Sequence, residues 1–373
     1  MLCVEGLLSS ESLSRGALLK EVLGCNWECM ASNNLGCRSQ WPWWAVPSAA
    51  HPSVSVIIAC RNAQETLVHT LRSVFQQRYP HWEIVLVDDG SSDGSLRCAE
   101  HFQSPRLRVI RQPALGAQVA RNRGIAESQG QLLQFLDADD LLAPDKLAHQ
   151  LARYQVHGDD DLYFCGYSCF SGVLPTTSSL QPARWRDVSP VEWLVNSWCG
   201  AGMLPPHAWL VPRKLIAAAG VWDSSLLQNQ DGEFFSRVIL ASKRLRFCPN
   251  ALCFYRRCVS GSVSQNSSYA ARVSLLRSAL LSGKNLIAVE DSERTRLAVA
   301  SLLMDVAARV SPEHPKLARA ALNRAQNLGV RLATNERRLV WHVLARIVGW
   351  KRVFELQPRV ARLRNALGMP PLH

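Results

Sequence analysis

Val54-Ser55-Val56-Ile57-Ile58-Ala59-Cys60 is apolar on both faces of an extended chain and rich in β-branched residues. That is the character of a strand covered on both sides in a parallel sheet. A helical stripe of Leu67, Leu71, Val74 and Phe75 follows, then an apolar strand at 83–87, a helix after Asp93, a strand at 107–110, a helix at 117–126 and a strand at 132–136. Strand and helix in alternation predict βαβ units, hence an α/β fold with a mostly parallel sheet and helices on both faces. Ligands of such sheets bind beyond the carboxyl ends of the strands. The residues there are Arg61-Asn62, then Asp88-Asp89-Gly90-Ser91-Ser92-Asp93-Gly94, then Asp137-Ala138-Asp139-Asp140. Polar groups gather at one rim.

Further along, the pattern predicts a strand at 161–170, a helix with its turn at 211–221, a helix at 231–242 and a strand at 247–255. From about residue 270 it becomes helical, with Leu275, Leu276, Leu280 and Leu281, and later Leu302, Leu303 and Val306, at helical spacing. The chain therefore divides into a leader and linker at 1–50, an α/β domain at 51–269 and a helical C-terminal region at 270–373. Within that region, 337–354 places Val340, Leu344, Ile347, Trp350 and Phe354 on one side, with Arg346, Lys351 and Arg352 among its polar positions. Such a stripe either packs on its own domain or lies on an anionic membrane.

With 373 residues, 47% hydrophobic and 19% charged, the chain is not a disordered, collagen-like or coiled-coil protein. It has no uncharged apolar run of the ~18 residues that a transmembrane helix needs. Of the net charge of +12, almost all belongs to 271–373, where 18 Lys and Arg face 7 Asp and Glu; an acidic partner such as an anionic lipid surface, a polyanion or another subunit fits there best. No charged segment leads into an apolar stretch at the start, so the 12 cysteines are read as reduced thiols. Cys25, Cys29 and Cys37, like Cys248, Cys253 and Cys258, lack the tight Cys-x-x-Cys pairs typical of structural zinc.

Asp137-Ala138-Asp139 ends an apolar strand. Hard cations such as Mg²⁺ or Mn²⁺ take one or two such carboxylates while phosphate oxygens complete the shell, so the pattern suits a diphosphate-bearing substrate. A plain chain turn is the alternative. Asp88 and Asp89 offer acceptors to a nucleobase imide or a ribose hydroxyl, and Asp93 reads as a helix N-cap.

In order, SVSVIIACRN (53–62), VLVDDGSSDGS (85–95), GAQVARNRGI (116–125) and LLQFLDADDLLAPDKL (132–147) resemble the nucleotide-binding half of a family 2 glycosyltransferase with the GT-A fold. The resemblance is strong over 53–153 and weaker to about residue 260. It divides the α/β domain into a nucleotide-sugar-binding half, 51–155, and an acceptor half, 156–269. It implies non-processive, inverting, Mg²⁺- or Mn²⁺-dependent transfer of a hexosyl or N-acetylhexosaminyl group from a nucleotide-diphosphate sugar. The acceptor would be a glycan or a lipid-linked molecule at the cytoplasmic side, with peripheral contact to an anionic membrane and no nucleic-acid partner. By position, Ala59 and Arg61 would line the base pocket, Asp89 would hold the base, Asp137 the ribose and Asp139 the metal, with Asn122 bordering the donor site. The family often has an aromatic residue where Arg61 stands; a guanidinium plane can also stack.

Inversion needs a general base for the acceptor hydroxyl. Gln230-Asp231-Gly232-Glu233 resembles the Glu-Asp segment that supplies it, which makes Asp231 the candidate and Glu233 the second. The competing role for Asp231 is an N-cap carboxylate, held at low pKa by the helix dipole. Gln181-Pro182-Ala183-Arg184-Trp185 matches a signature of processive synthases but precedes Asp231, the wrong order for them. Trp193, Trp198 and Trp209 are read as core rather than sugar platforms, His207 as structural, and Arg256 as either near the diphosphate or exposed. A dehalogenase-type phosphotransferase also uses Asp-x-Asp, but after its first strand. A binding scaffold without turnover is the non-enzymatic alternative.

Overall fold

The computed structural model describes residues 52–172, 185–257, 266–311 and 313–330; the leader, residues 181–184 of the synthase-like signature and the basic 337–354 segment lie outside them. The elements are β1 (Val54–Cys60), α1 (Leu67–Phe75), β2 (Trp82–Asp89), α2 (Ser95–Glu100), β3 (Leu107–Gln112), α3 (Ala117–Glu127), β4 (Leu132–Asp137), β5 (Leu141–Leu142), α4 (Lys146–His157), β6 (Leu162–Phe170), α5 (Pro190–Asn196), β7 (Trp209–Pro212), α6 (Arg213–Ala219), α7 (Gln230–Ala241), β8 (Leu245–Arg256), α8 (Tyr269–Val289), α9 (Glu293–Val310) and α10 (Pro315–Gln326).

One mixed sheet runs in the order β3-β2-β1-β4-β7-β6-β8-β5. The β3-β2-β1-β4 part is wholly parallel, as its doubly apolar strands require. Beyond β4 the sheet reverses: β7 runs antiparallel to β4 and β6, and β5 antiparallel to β8. Residues 211–221 are thus not one helix. Trp209-Leu210-Val211-Pro212 is fully buried between β4 and β6, and only Arg213–Ala219 is helical, closed by Gly220 at φ +81°. In the register, Ala59 stands beside both Val87 and Asp137, and Cys60 beside Asp88. The carboxyl ends of β1, β2 and β4 therefore form a common edge at the point where the chain order switches direction.

The C-terminal helices share the core of the sheet. Leu275, Leu276, Ala279 and Leu286 of α8 belong to the same buried cluster as β1 and β4, with α8 packed along α7 and α9 against α8. On the same face of the sheet, α3 approaches β1 so closely that a Cβ on Gly124 would lie 2.4 Å from Ile57 Cγ2. Interiors are close-packed and tolerate overpacking poorly. Gly124→Ala is accordingly expected to cost about 1–3 kcal/mol, measured by chemical denaturation; an unchanged midpoint would show that the α3–β1 contact is loose.

Candidate active site

Three loops leave the common edge and are stitched together. Asn62 adopts φ +50°; its backbone N–H donates to Ser91 Oγ (3.0 Å), and its Oδ1 accepts from Ser92 N (2.8 Å). Gly90 sits at φ +72°, and a Cβ there would meet Ala114 N at 2.8 Å, so the turn after β2 requires glycine twice over. Gly94, not Asp93, occupies the N-cap position of α2, while the Asp93 carboxylate accepts from Ser95 N and Gln64 N. Asp93 still caps the helix end, from one residue further out.

Asp89 is buried. It accepts from Gln112 Nε2 (2.8 Å), Leu115 N (2.8 Å) and Gly116 N (2.9 Å). A carboxylate has about four lone-pair sites, so Asp89 fixes the loop before α3 and keeps one acceptor position. Asp88 is also buried, with Oδ2 accepting from Ser91 N and Oδ1 without a hydrogen-bond partner among the described residues. Ala59 is half-buried beside Asp137, and Arg61 is exposed at the mouth.

The Asp137–Asp140 turn is held from all sides. Thr66 Oγ1 and Thr70 Oγ1 both donate to Ala138 O at 2.9 Å. Arg256 is neither exposed nor free to reach a ligand: its Nε donates to Asp139 O (2.7 Å), its backbone N to Asp140 Oδ1 (2.7 Å), and its guanidinium lies 4.4 Å from the Phe170 ring centroid. His207, fully buried, places Nδ1 3.0 Å from Asp140 Oδ2. Burial, the largest influence, pulls its pKa down, but the charge and hydrogen bond of Asp140 together with the Asp137 charge outweigh it and hold the imidazole above its ordinary value. Asp139 is the uncompensated member. Burial, then the charges of Asp140 and Asp137, push its carboxyl up to about 7.

Asp231 lies in the first turn of α7, whose N-cap position is Asn229 in the left-handed region at φ +55°. The expectation of a low pKa at a capping position does not hold. Asp231 Oδ1 is closed off from solvent while the side chain keeps 40% of its surface open, which describes a carboxyl low in a cleft. Burial pushes it up to about 6 against the opposing pull of Arg121, with the Asp137 charge adding to the rise. Glu233, by contrast, is buried in a two-pronged pair with Arg237 at 2.7 and 2.9 Å, which commits it to the acceptor-half wall.

Arg121 draws these groups together, and no functional role for it was read from the sequence. Buried on α3, it donates from Nη2 to Asp137 Oδ1 (2.7 Å), sets Nη1 3.5 Å from Asp231 Oδ1, and lies 4.6 Å from the Trp222 ring centroid. The same helix face carries Gln118, whose Nε2 donates to Leu226 O, and Asn122, which exchanges two 2.9 Å hydrogen bonds with the Trp222 backbone. Asn122 thus holds the acceptor half in place. Long polar residues at i, i+3 and i+4 on a helix that must bury that face were the available signal. Trp193, Trp198 and Trp209 are core: Trp193 packs 4.6 Å from Phe164, and Trp209 5.6 Å from Phe235.

Among the described residues no three or more His, Cys, Asp or Glu side chains converge on a metal position, and no helix is long and apolar enough to cross a membrane. Residues 55–218 match the family model described as Glycosyl transferase family 2. TuaG of Bacillus subtilis, named for teichuronic acid biosynthesis, is 38% identical over 120 residues, 31% of this chain and 47% of TuaG. The Escherichia coli UDP-Glc:alpha-D-GlcNAc-diphosphoundecaprenol beta-1,3-glucosyltransferase WfgD is 34% identical over 100 residues, 26% of this chain and 40% of WfgD. The chain spans about half the length of the curated relatives it matches. The crystal structure of S. aureus TarS 1–349 with UDP-GlcNAc shares the fold, with a TM-score of 0.54, 16% identity, and coverage of 73% of this chain and 89% of that one.

Proposed function

We propose, for a chain whose residues 55–218 belong to glycosyl transferase family 2, that it moves a sugar with inversion from a nucleotide-diphosphate donor to a glycan or lipid-linked acceptor, one residue at a time. The observation that carries the reading is the meeting of Arg121, Asp137 and Asp231 at the carboxyl edge of a parallel sheet. A donor-side carboxylate and a base with a raised pKa share one buried cation.

In this reading the base lies over Ala59 beside Arg61, whose planar guanidinium can stack on it, and Asp89 uses its remaining acceptor position for the imide N–H. Asp137 takes the ribose. The residues fit Mg²⁺ or Mn²⁺: Asp139 is pushed up to about 7 by burial and neighbouring carboxylates, with His207 opposing only weakly, while hard cations need only one or two protein carboxylates beside a diphosphate. When bound at Asp139 the ion stabilises negative charge on the departing nucleoside diphosphate. Asp231 accepts the acceptor hydroxyl proton as that oxygen attacks the anomeric carbon and the bond to the diphosphate breaks. A pKa near the working pH suits this proton transfer. Relatives named for teichuronic acid biosynthesis and for a diphosphoundecaprenol acceptor support an envelope-glycan or lipid-linked acceptor. The C-terminal excess of basic residues supports peripheral contact with an anionic cytoplasmic membrane face.

A thermal-shift panel of nucleoside diphosphates with and without Mn²⁺ tests the donor half. A ligand at a hundred times its Kd stabilises the fold by about 2.7 kcal/mol, so one base is expected to raise Tm, and only with the metal. A panel in which none does so removes the proposal.

A further inference from the structure

The side of α8 turned toward α7 carries three buried serines one turn apart, Ser274, Ser278 and Ser282, among core residues such as Leu275, Ala279 and Leu286. A buried hydroxyl is costly unless it is bonded, so what these hydroxyls hold is informative. Ser274 Oγ accepts from Leu227 N (2.7 Å) and Gln228 N (3.3 Å). Ser278 Oγ accepts from Asn229 Nδ2 (2.8 Å) and donates to Asn229 O (2.9 Å). Ser282 Oγ lies 3.2 Å from Ser236 Oγ on α7. The bonded segment, 227–229, is the strap that delivers Asp231 to Arg121. The chain just ahead of it is bound to α3 through Leu226 O and the Trp222 backbone.

The strap also turns sharply. Asn229 is held at φ +55°, and Glu233 N donates to Asn229 O to start α7. Asn229 packs so tightly under Gly232 that a Cβ there would meet its Nδ2 at 2.7 Å. The direction in which α7 leaves the strap, and with it the place of Asp231, depends on how the Asn229 amide is tied. We infer that Ser278, supported by Ser274, is a positioning residue for the proposed base Asp231, acting through Asn229, so that the C-terminal helix α8 completes the active site. The inference rests on the reading of Asp231 given above.

The test uses the full chain with Ser278→Ala, Asn229→Gly and the double variant. Glycine keeps the left-handed backbone while removing the amide, so the link is broken from each side and one variant remains if the other fails to fold. The readout is release of nucleoside diphosphate from whichever sugar nucleotide the wild type turns over, with UDP, GDP and dTDP plus Mn²⁺ as binding probes. Misplacing a catalytic group by about 1 Å can cost about a hundredfold, so kcat is expected to fall between tenfold and a hundredfold. Donor KM and diphosphate affinity should change by less than about twofold, and the double variant should lose less than the two single losses combined, because both remove the Asn229 Nδ2–Ser278 Oγ bond. Amide hydrogen exchange should rise at Leu227 and Gln228 in Ser274→Ala, and across 227–233 in Ser278→Ala, while β1 and β4 peptides stay protected.

Losses that multiply in the double variant, that fall on KM, or that are absent would overturn the inference, as would unchanged exchange in the strap. A wild type that releases no diphosphate from any donor overturns the functional reading instead, and the exchange measurement still decides whether α8 holds the strap.

Discussion

Asp231→Asn is expected to lower kcat/KM by about 10²–10⁴-fold while leaving affinity for the nucleoside diphosphate with Mn²⁺ within about twofold. The carboxylate removed is the proposed proton acceptor, and its contacts are with Arg121 and the cleft rather than with the β1–β2 edge proposed to hold the base. The wild-type pH profile supplies a second check. A general base works only when ionised, so kcat/KM should fall about tenfold per pH unit below the Asp231 pKa of about 6. Asp139, pushed up to about 7, titrates in the same window. Saturating Mn²⁺ favours its ionised form, so the profile is taken at saturating metal. The linkage sign separates loss of the base from loss of the fold. A folded-state pKa above the unfolded value means that the ionised carboxylate opposes folding as pH rises through about 6. At neutral pH Asp231→Asn should therefore melt no lower than wild type. A variant that keeps full activity, or that loses activity only by unfolding, would remove Asp231 as the base.

Arg121→Met is expected to be the most damaging substitution outside the carboxylates. Breaking a buried ion pair from one side typically costs about 3–5 kcal/mol. Asp137 and Asp231 keep 28% and 40% of their side-chain surfaces open, so solvent relieves part of the penalty and the low end of that range is expected. Activity should suffer beyond stability. Arg121 pulls the Asp231 pKa down, so its loss should move the acidic limb of the profile upward in whatever activity remains. Arg121→Lys should not restore function, because one ammonium cannot reproduce a fork that donates to Asp137 from one nitrogen while the other faces Asp231. Combining Arg121→Met with Asp137→Asn should recover stability but not turnover. Additive stability losses in that pair would show that the two side chains act independently.

Part of this was legible in the residues themselves. The runs at 54–60, 83–87 and 132–136 are apolar on both faces, and helix-forming segments lie between them; those local patterns suffice for βαβ units. Once the units exist, the ends of the strands are a shared edge, so Asp89, Asp137 and Asp139 could be singled out before any contact was known. The reversal at Trp209–Pro212 was not legible, because an apolar run that short reads equally as strand or helix. Nor was the state of Asp231. A carboxylate in a first helical turn ordinarily has a lowered pKa, and only the burial of that turn against Arg121 and Asp137 reverses the shift.

From the sequence alone came the parallel core, the edge on which a nucleotide-diphosphate would lie, and the carboxylates along it, since strand burial and strand ends are properties of neighbouring residues. The tertiary structure decided which groups share a charge, which are consumed in holding the chain, and that α8 supports the strap before Asp231. Those are contacts between residues as distant as Arg121 and Asp231 or Asn229 and Ser278. The physical reason is that desolvation and ion pairing depend on what the fold packs around a group, whatever its neighbours along the chain.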